Sequence, residues 1–303
     1  MPITIPSGLK RDTILQNAMR AFKNRILPVM AFATRFNGVP LSGTDKIVVP
    51  YYPLASGASS DWNPSTGYVL TQDQSFSTKE VTVNKRKFRG ISFTSTEAAR
   101  QPFLSINQLV TLEAEKLAND VLTDIFGVIT AANFGETSIS ALAASAFDLD
   151  EALSLRRLCS EANWPSDPRS LVLDGTFYEN LLKDTRLGNM NYGSTAAARE
   201  GEVQRVAGFD VREVPLLPDN SENLAGMAVF PSAIMVAFSP IEPHPTLRKT
   251  LVEYQVITDP DTGLSLEYRA FGDPILDKVN EVIECNYGFA VGESKALKRI
   301  VKA

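Results

Sequence analysis

The feature that most constrains the fold is one long stretch of strong helix formers in the first half of the chain. It begins at Ser105, where Gln108 three residues later fits a capping box, and it continues to about Ala132. At 1.5 Å per residue, such a helix spans roughly 40 Å, which makes it a strut rather than a typical globular helix. Its acidic residues indicate a solvated face to which we assign no chemistry: Glu113, Glu115, Asp120 and Asp124.

The first 40 residues combine a polar start with a basic amphipathic helix. Met1 to Thr13 is polar and interrupted by prolines, and apolar residues then recur at helical spacing from Ile14 to Val29. We expect Pro28 to kink or restart this helix, because proline lacks the backbone donor. Up to Phe36 the segment holds six basic residues against one acidic residue, although the net charge of the whole chain is −5. Such a cluster either forms a solvated face or turns toward a polyanion.

Between these two helices, residues 45–94 have the pattern of a long hairpin. Two strand-like segments flank a loop rich in Gly, Ser, Asn and Pro at 55–67, and Val81 and Val83 alternate with polar residues in the second strand. A cluster of basic residues follows: Lys85, Arg86, Lys87 and Arg89. A two-stranded hairpin of this composition cannot bury enough apolar surface to be stable alone. It must therefore lie on something else, such as another subunit.

The second half of the chain predicts a compact α/β unit followed by strands. A small-residue linker covers 135–146, and Asp148 with Glu151 then fits a capping box at the start of a helix. A short apolar strand covers 170–173, and Thr176 with Glu179 fits the cap of the next helix. Residues 185–201 have no clear period and predict a long mobile loop. Further strand-like segments follow, and two of them flank a hairpin turn at 261–263. A last apolar strand runs through Tyr287.

Composition excludes several classes of protein. With 44% hydrophobic residues the chain can bury one large core or two modest ones. Cys159 and Cys285 lie far apart without a partner motif, which indicates buried thiols in a reducing compartment. The N-terminus lacks the apolar stretch of a signal peptide, and the best apolar run, 227–238, is too short to span a membrane. We therefore expect a soluble, cytoplasmic protein without a membrane partner.

Residues suited to catalysis are scarce. The one histidine, His244, lies between two prolines, and neither cysteine has a nearby histidine or a nucleophile motif. No glycine-rich phosphate loop occurs, and Asp259, Asp261 and Gly263 fit a plain hairpin turn better than a calcium loop. We therefore predict no catalytic residue, no metal ligand and no cofactor, and we expect that the protein is not an enzyme.

The order of these elements resembles the major capsid proteins of tailed double-stranded DNA bacteriophages, whose coat fold is shared with encapsulins. Within the second half, the segments DPRSLVLDGTFYENLLKD, VAGFDVREVPLLPDN and LAGMAVFPSAIMVAFSP are similar to that family's strand-then-helix segment, its glycine-led strand and its following strand pair. The resemblance implies an α+β capsid fold with an N-terminal arm, an extended hairpin loop, a long spine helix, a peripheral domain and an axial domain. Its ranges are 1–40 for the arm, 41–100 for the hairpin loop, 101–146 for the peripheral domain with the spine helix, 147–245 for the axial domain and 246–303 for the closing strands of the peripheral domain.

The family resemblance also implies a function and partners. A subunit of this kind assembles with itself into hexamers and pentamers of an icosahedral shell around double-stranded DNA, which it contacts without sequence specificity. Assembly would take place in the host bacterial cytoplasm and give a virion capsid with a portal protein. Because arm and hairpin occupy the roughly 100 residues before the spine helix, we expect a separate scaffolding protein, or none, rather than a fused scaffolding region. Nothing identifies a crosslinking lysine and asparagine pair, so we expect no covalent crosslinks between subunits.

Two groups of site residues follow from the resemblance. Basic residues of the arm are expected on the inner surface, facing DNA: Lys10, Arg11, Arg20, Lys23 and Arg25. Hairpin residues are expected at subunit interfaces: Trp62, Phe76, Lys85, Arg86, Lys87 and Arg89. An encapsulin-like nanocompartment that holds a cargo enzyme is the alternative function, and its contents would be protein rather than DNA. A soluble hydrolase with an acidic pocket is a third hypothesis.

Overall fold

The computed structural model describes residues 7–30, 33–36, 46–51, 61–68, 77–100, 106–135, 139–188, 205–215 and 217–303. The helices are α1 (Ser7–Met30), α2 (Ser95–Arg100), α3 (Ile106–Phe126), α4 (Ala131–Phe134), α5 (Leu149–Glu161), α6 (Gly175–Lys183), α7 (Thr185–Gly188) and α8 (Pro245–Arg248). The strands are β1 (Ala33–Phe36), β2 (Lys46–Tyr51), β3 (Ser77–Thr82), β4 (Lys85–Thr94), β5 (Ile139–Leu142), β6 (Ser170–Leu173), β7 (Arg205–Val206), β8 (Phe209–Glu213), β9 (Leu224–Val229), β10 (Ile234–Phe238), β11 (Glu253–Thr258), β12 (Ser265–Asp273), β13 (Lys278–Val291) and β14 (Leu297–Lys302).

The chain divides into two compact units, each built from segments that are distant in sequence. The first unit contains Met1–Ile47, Val81–Val128 and Met235–Ala290, and the second contains Val48–Glu80, Ile129–Ile234 and Val291–Ala303. Strands β2 and β3 pair only with each other among the described strands, as a two-stranded ribbon. The predicted hairpin is therefore present as a ribbon, although its pairing stops at Thr82 and β4 belongs to a larger sheet.

In the first unit, the long helix α3 packs against α1. Their contact is apolar, since Ala18 and Phe22 of α1 and Ala114 and Leu117 of α3 are all fully buried. Helix α1 continues through Pro28 to Met30, so a restart of the helix at this proline is wrong, whereas the kink stays a prediction. Proline removes one backbone hydrogen bond, and Pro28 does so two residues before the end of the helix.

Helix α3 is shorter than predicted. It has 21 residues and ends at Phe126, so it spans about 32 Å rather than roughly 40 Å. The turn at Gly127 ends it, and residues 131–134 form the separate short helix α4. The proposed cap Ser105 lies outside the described residues.

The sheet of the first unit runs in the order β1, β10, β13, β12 and β11, and β4 pairs with β13. The turn at 261–263 joins β11 to β12 as predicted, and Gly263 occupies the left-handed region with φ +68°. Gly288 of β13 leaves room for a close approach of the chain between β3 and β4, because an added Cβ would clash with the Thr82 carbonyl oxygen. The β3–β4 junction is thereby held against β13.

The second unit contains a mixed sheet in the order β5, β14, β9, β6, β8 and β7. Strand β6 covers the predicted range and is parallel to β8, as expected for a strand pair connected through a helix. The core of the second unit is aromatic and aliphatic, with Phe147, Leu171, Phe177 and Phe209 all at most 1% exposed. Leu171 and Phe209 come from the sheet, and Phe177 comes from α6. The second unit is therefore stabilised mainly by hydrophobic burial.

The helix caps of this unit agree in part with the sequence prediction. Asp148 caps α5 by accepting hydrogen bonds from the backbone N–H groups of Asp150 and Glu151, as predicted. Helix α6 begins one residue before Thr176, and its cap is Asp174, which accepts a 2.8 Å hydrogen bond from the Phe177 N–H. The predicted cap at Thr176 is wrong because an aspartate two residues earlier already satisfies the first free donors.

Four further sequence expectations need correction. Strands β9 and β10 are not a pair, because they belong to different sheets. The closing strands do not form one sheet either, since β14 pairs with β9 and β5 instead of joining β11–β13. The linker at 135–146 contains β5 and a 3₁₀ turn at 144–146. In the predicted mobile loop, residues 185–188 form α7, and residues 189–201 lie outside the described ranges.

Candidate functional site

The basic strand β4 lies against the acidic side of α3. Side chains alternate between the two faces of a strand, so Lys85, Lys87 and Arg89 point to the same side. On that side Lys87 Nζ lies 2.9 Å from Asp124 Oδ1, and Lys85 Nζ lies 3.2 Å from Asp124 Oδ2. Arg89 Nη2 lies 2.6 Å from Asp120 Oδ2. The hairpin cations that the sequence assigned to subunit interfaces therefore form ion pairs within their own chain.

These ion pairs correct the interpretation of the α3 carboxylates as a merely solvated face. Asp124 accepts a 2.7 Å hydrogen bond from the buried Tyr287 hydroxyl in addition to its two lysine partners. Burial alone would raise the pKa of Asp124, but the hydrogen bonds from Tyr287, Lys87 and Lys85 outweigh it and hold the pKa below its ordinary range. Asp124 thus stays ionised and links α3 to both β4 and β13.

Arg86 points to the opposite face of the sheet and enters a buried charged cluster. It donates hydrogen bonds of 3.0 Å and 2.6 Å through Nε and Nη2 to Glu284 Oε2. Glu284 lies opposite Glu267 on the neighbouring strand, and Arg269 contacts both carboxylates. Burial raises the pKa of Glu284 and the adjacent Glu267 carboxylate adds to the rise, although the two arginines oppose it. We call Glu267, Arg269 and Glu284, together with the half-exposed Arg86 at their edge, the buried charged cluster.

The described cations of the arm differ in whether they form ion pairs with carboxylates of their own chain. Lys23 Nζ lies 2.9 Å from Asp259 Oδ2, and Arg25 lies 3.6 Å from Glu115. Arg20 is exposed and lines a groove between α1 and α3 together with Asn17 and Asn107. Lys10 and Arg11 lie on α1, but their side chains are outside the described part of the structure.

The hairpin loop contributes one described segment, residues 61–68. Trp62 is 60% exposed there, and Phe76 lies outside the described residues. Sequence reasoning missed Tyr68, which is 85% exposed on the other side of the same turn. Two aromatics flanking the turn sequence N-P-S-T-G were the available signal. Sequence reasoning also missed the buried charged cluster, because its glutamates resemble the exposed positions of an alternating strand.

No reaction centre emerges within the described residues. His244 accepts a hydrogen bond from the Thr246 N–H and caps the short helix α8. Cys159 and Cys285 are both buried and free, and burial raises the pKa of the Cys159 thiol to about 12. The described His, Cys, Asp and Glu residues form no group that could hold a metal ion. Among the described helices, none is both long and apolar enough to cross a membrane.

The structure therefore defines a mixed α and β protein in which ion pairs join β4 to α3 and two aromatic side chains are exposed in the turn at 61–68. No protein-family model matches the sequence, and no curated protein is significantly similar to it. Solved capsid structures, by contrast, share its fold. A capsid structure of the cyanophage P-SCSP1u superposes with a TM-score of 0.65 at 16% identity, covering 90% of this chain and 86% of that one.

Two further structures agree. The mature capsid of bacteriophage PhiM1 gives a TM-score of 0.59 at 10% identity, with coverage of 90% and 86%. A virus-like particle from Pyrococcus furiosus gives a TM-score of 0.53 at 12% identity, with coverage of 95% and 98%. The chain thus has the phage capsid fold, as the sequence resemblance predicted.

Proposed function

We propose that this protein is a structural subunit that assembles with itself into an icosahedral capsid around a phage double-stranded DNA genome. The observation that carries the proposal is the fold match, which extends over 90% of this chain and 86% of the cyanophage capsid chain. The matched 90% of the chain is accounted for by a fold whose solved examples are capsid proteins. We therefore propose a structural rather than an enzymatic role.

The named parts of a capsid subunit can be assigned to the described elements. We propose α3 as the spine helix, the part of the first unit that follows the arm helix α1 as the peripheral domain, and the second unit without the β2–β3 ribbon as the axial domain. Hexamers and pentamers are the proposed assembled rings. The ribbon β2–β3 would be the extended hairpin loop that lies across a neighbouring subunit. Support comes from the exposed surface of the ribbon, where Val48 is 58% exposed and Lys79 and Glu80 are also exposed.

Packaged DNA is the proposed non-specific partner of the arm. Lys23 and Arg25 already face carboxylates of their own chain, so among the arm cations with described side chains Arg20 is the better candidate for a phosphate contact. Lys10 and Arg11 stay candidates on the sequence alone. A separate scaffolding protein and a portal protein are further proposed partners. On this proposal the protein is located in the virion capsid and assembles in the bacterial cytoplasm.

An encapsulin-like compartment is the second candidate. It is supported by the virus-like particle from Pyrococcus furiosus, whose chain is covered to 98%. The two functions differ in content, since one shell holds DNA and the other holds a cargo protein. The phage function is favoured, because the cyanophage capsid gives a TM-score of 0.65 and the virus-like particle gives 0.53.

Purification of particles from infected or co-expressing cells would test the proposal. We expect particles that contain nuclease-protected DNA, and we expect that neutralising Lys10, Arg11 and Arg20 to Gln lowers the DNA retained per particle. A matched control neutralises three exposed cations of the second unit, Arg157, Lys183 and Arg205. Particles filled with one protein species would support the compartment instead, and equal DNA retention in both triple variants would refute the role of the arm.

A further inference from the structure

Residues 61–68 form a small turn that presents two aromatic side chains. Asn63 and Gly67 form an isolated β-bridge, and the Asn63 carbonyl accepts hydrogen bonds from the N–H groups of Thr66 and Gly67 at 3.2 Å and 2.7 Å. The Asn63 side chain accepts another from the Ser65 N–H at 2.8 Å. Gly67 adopts φ +66°, which favours glycine. Trp62 and Tyr68 flank this bridge directly, so the turn fixes where both side chains emerge.

Both aromatics are more exposed than such residues usually are. Trp62 is 60% exposed and Tyr68 is 85% exposed. Aromatic side chains bury large areas when they find a partner, and Trp and Tyr are enriched among the residues that dominate binding energy at interfaces. A rigid turn that exposes one of each has the properties of an interface anchor. We call residues 61–68 the aromatic turn.

A surface with matching chemistry lies in the first unit, at residues 240–249. Its sequence is PIEPHPTLRK, with prolines at 240, 243 and 245. His244, between two of these prolines, has φ −51° and ψ 141°, close to polyproline II geometry. The chain continues from His244 into α8, so this geometry does not extend beyond His244. The prolines before and after it still offer apolar surface to aromatic side chains, which are the usual partners of proline-rich segments.

This segment is held in place by the sheet beneath it. The Ile241 N–H donates a 2.8 Å hydrogen bond to Glu267 of the buried charged cluster. The Ile241 carbonyl accepts hydrogen bonds from the Tyr254 hydroxyl and from Arg269, each at 3.3 Å. A cavity of about 580 Å³ opens beside it, lined by Glu242, Pro243, His244, Pro245, Arg248 and Lys249. We call this surface the proline groove.

We propose that the aromatic turn of one subunit docks in the proline groove of a second copy of this chain. The proposal rests on the proposed shell function, because only assembly brings a second copy to the turn. Charge supports it: Asp61 is the one charged residue of the aromatic turn, whereas the groove carries Arg248 and Lys249 against Glu242. Leu247 beside the groove is 59% exposed and offers further apolar contact.

Disulfide trapping in assembled particles tests this contact. Two single variants, Asp61→Cys and Lys249→Cys, are co-expressed, assembled and oxidised mildly. The native thiols do not interfere, because Cys159 and Cys285 are fully buried. We expect a disulfide-linked dimer from the mixture and none from either variant alone. Pairing Lys249→Cys with Lys183→Cys, an exposed position on α6, is the matched control and should give no dimer.

Electron microscopy before oxidation separates the two levels of the proposal. Wild-type protein that forms no particles would refute the shell function itself. Particles that form normally but give no dimer above the Lys183 control would refute only the docking of the aromatic turn. A double variant, Asp61→Cys with Lys249→Cys, that forms its disulfide within one chain would overturn the proposal as well.

Truncation of the aromatics provides an independent measurement if the cysteines prevent assembly. We expect Trp62→Ala with Tyr68→Ala to raise the subunit concentration needed for assembly by at least about tenfold, as for interface anchors. Ser65→Ala, an exposed position of the same turn, should leave that concentration unchanged. Unfolding of the unassembled subunit should also be unchanged, because both aromatics are exposed. Equal assembly of the double variant and the Ser65→Ala control would refute the contact.

Discussion

The sheets of the two units are stabilised in different ways. In the second unit, every residue of β6 and β9 is buried, and their side chains are almost all apolar. In the first unit, β12 and β13 bury Glu267, Glu281 and Glu284, which are at most 6% exposed. Buried charges are tolerated only when partners replace their lost hydration. The two sheets therefore differ in what their central strands bury, apolar side chains in β6 and β9 and paired carboxylates in β12 and β13. Core truncation, pH and salt should act on these strands differently.

The largest expected effect is loss of packing in the second unit. Phe177 is 1% exposed and its ring centroid lies 5.5 Å from that of Phe147. We expect Phe177→Ala to destabilise the unassembled subunit by about 3–5 kcal/mol, because it leaves a cavity. Denaturant unfolding followed by Trp164 fluorescence in a Trp62→Phe background reports on this unit, since Trp164 is buried there. Phe88→Ala, at a 67% exposed position, is the control, and an equal loss in both variants would contradict the account.

Removal of a charge in the first unit should have the next largest effect. Glu267 accepts hydrogen bonds from the Ile241 N–H, Tyr254 and Arg269. In Glu267→Gln one acceptor becomes a donor and the neighbouring guanidinium loses its counter-charge, so we expect a loss of about 2–4 kcal/mol. Hydrogen exchange of β12 and β13 amides should report it. As the control, Glu242→Gln at an exposed position should change stability by less than about 0.5 kcal/mol. Equal losses in Glu267→Gln and Glu242→Gln would show that the buried charged cluster does not stabilise the first unit more than an exposed ion pair does.

A smaller effect with a defined pH dependence is expected at Asp124. Its pKa is lowered in the folded state, so its contribution is complete above its unfolded pKa and is lost as pH falls through the folded value. We expect Asp124→Asn to cost about 1–2 kcal/mol at neutral pH. The difference from wild type should shrink below about pH 4. Urea unfolding from pH 7 to pH 3 measures this, and a constant difference would contradict the prediction.

Glu284 should respond in the opposite direction. Its folded pKa is raised, so the folded state holds the proton more tightly than the unfolded state does. Stability should therefore fall as pH rises from the unfolded pKa of Glu284 through its folded pKa. In Glu284→Gln this part of the pH dependence should disappear, whereas the acid-side loss due to Asp124 should remain.

The smallest effect is expected for the exposed pair between Arg89 and Asp120. Their side chains are 42% and 40% exposed, so solvent screens their attraction. We expect Arg89→Gln to lower stability only slightly, and the loss should vanish in 1 M salt. Unfolding at low and high salt measures it. A large, salt-independent loss would mean that the β4–α3 contact depends on this pair more than its exposure allows.

Local patterns in the sequence predicted what depends on neighbouring residues. Strand β6, the Asp148 cap and the turn at Gly263 each need only a few adjacent side chains, and all three are present. The ion pairs of Lys87 and Arg89 with α3 depend on which face of β4 meets the helix, which no short window contains. The opposition of Glu267 and Glu284 requires the register of β12 and β13, and the position of β14 requires knowledge of the far end of the chain. Register and strand order are tertiary properties, so these features could not be predicted.

Electron microscopy of the purified full chain, alone and with a crowding agent, tests the central claim most directly. The account predicts closed polyhedral particles or rings in which the β2–β3 ribbon of each subunit contacts a neighbouring copy. A monodisperse subunit under all conditions, with the ribbon folded against its own chain, would contradict it.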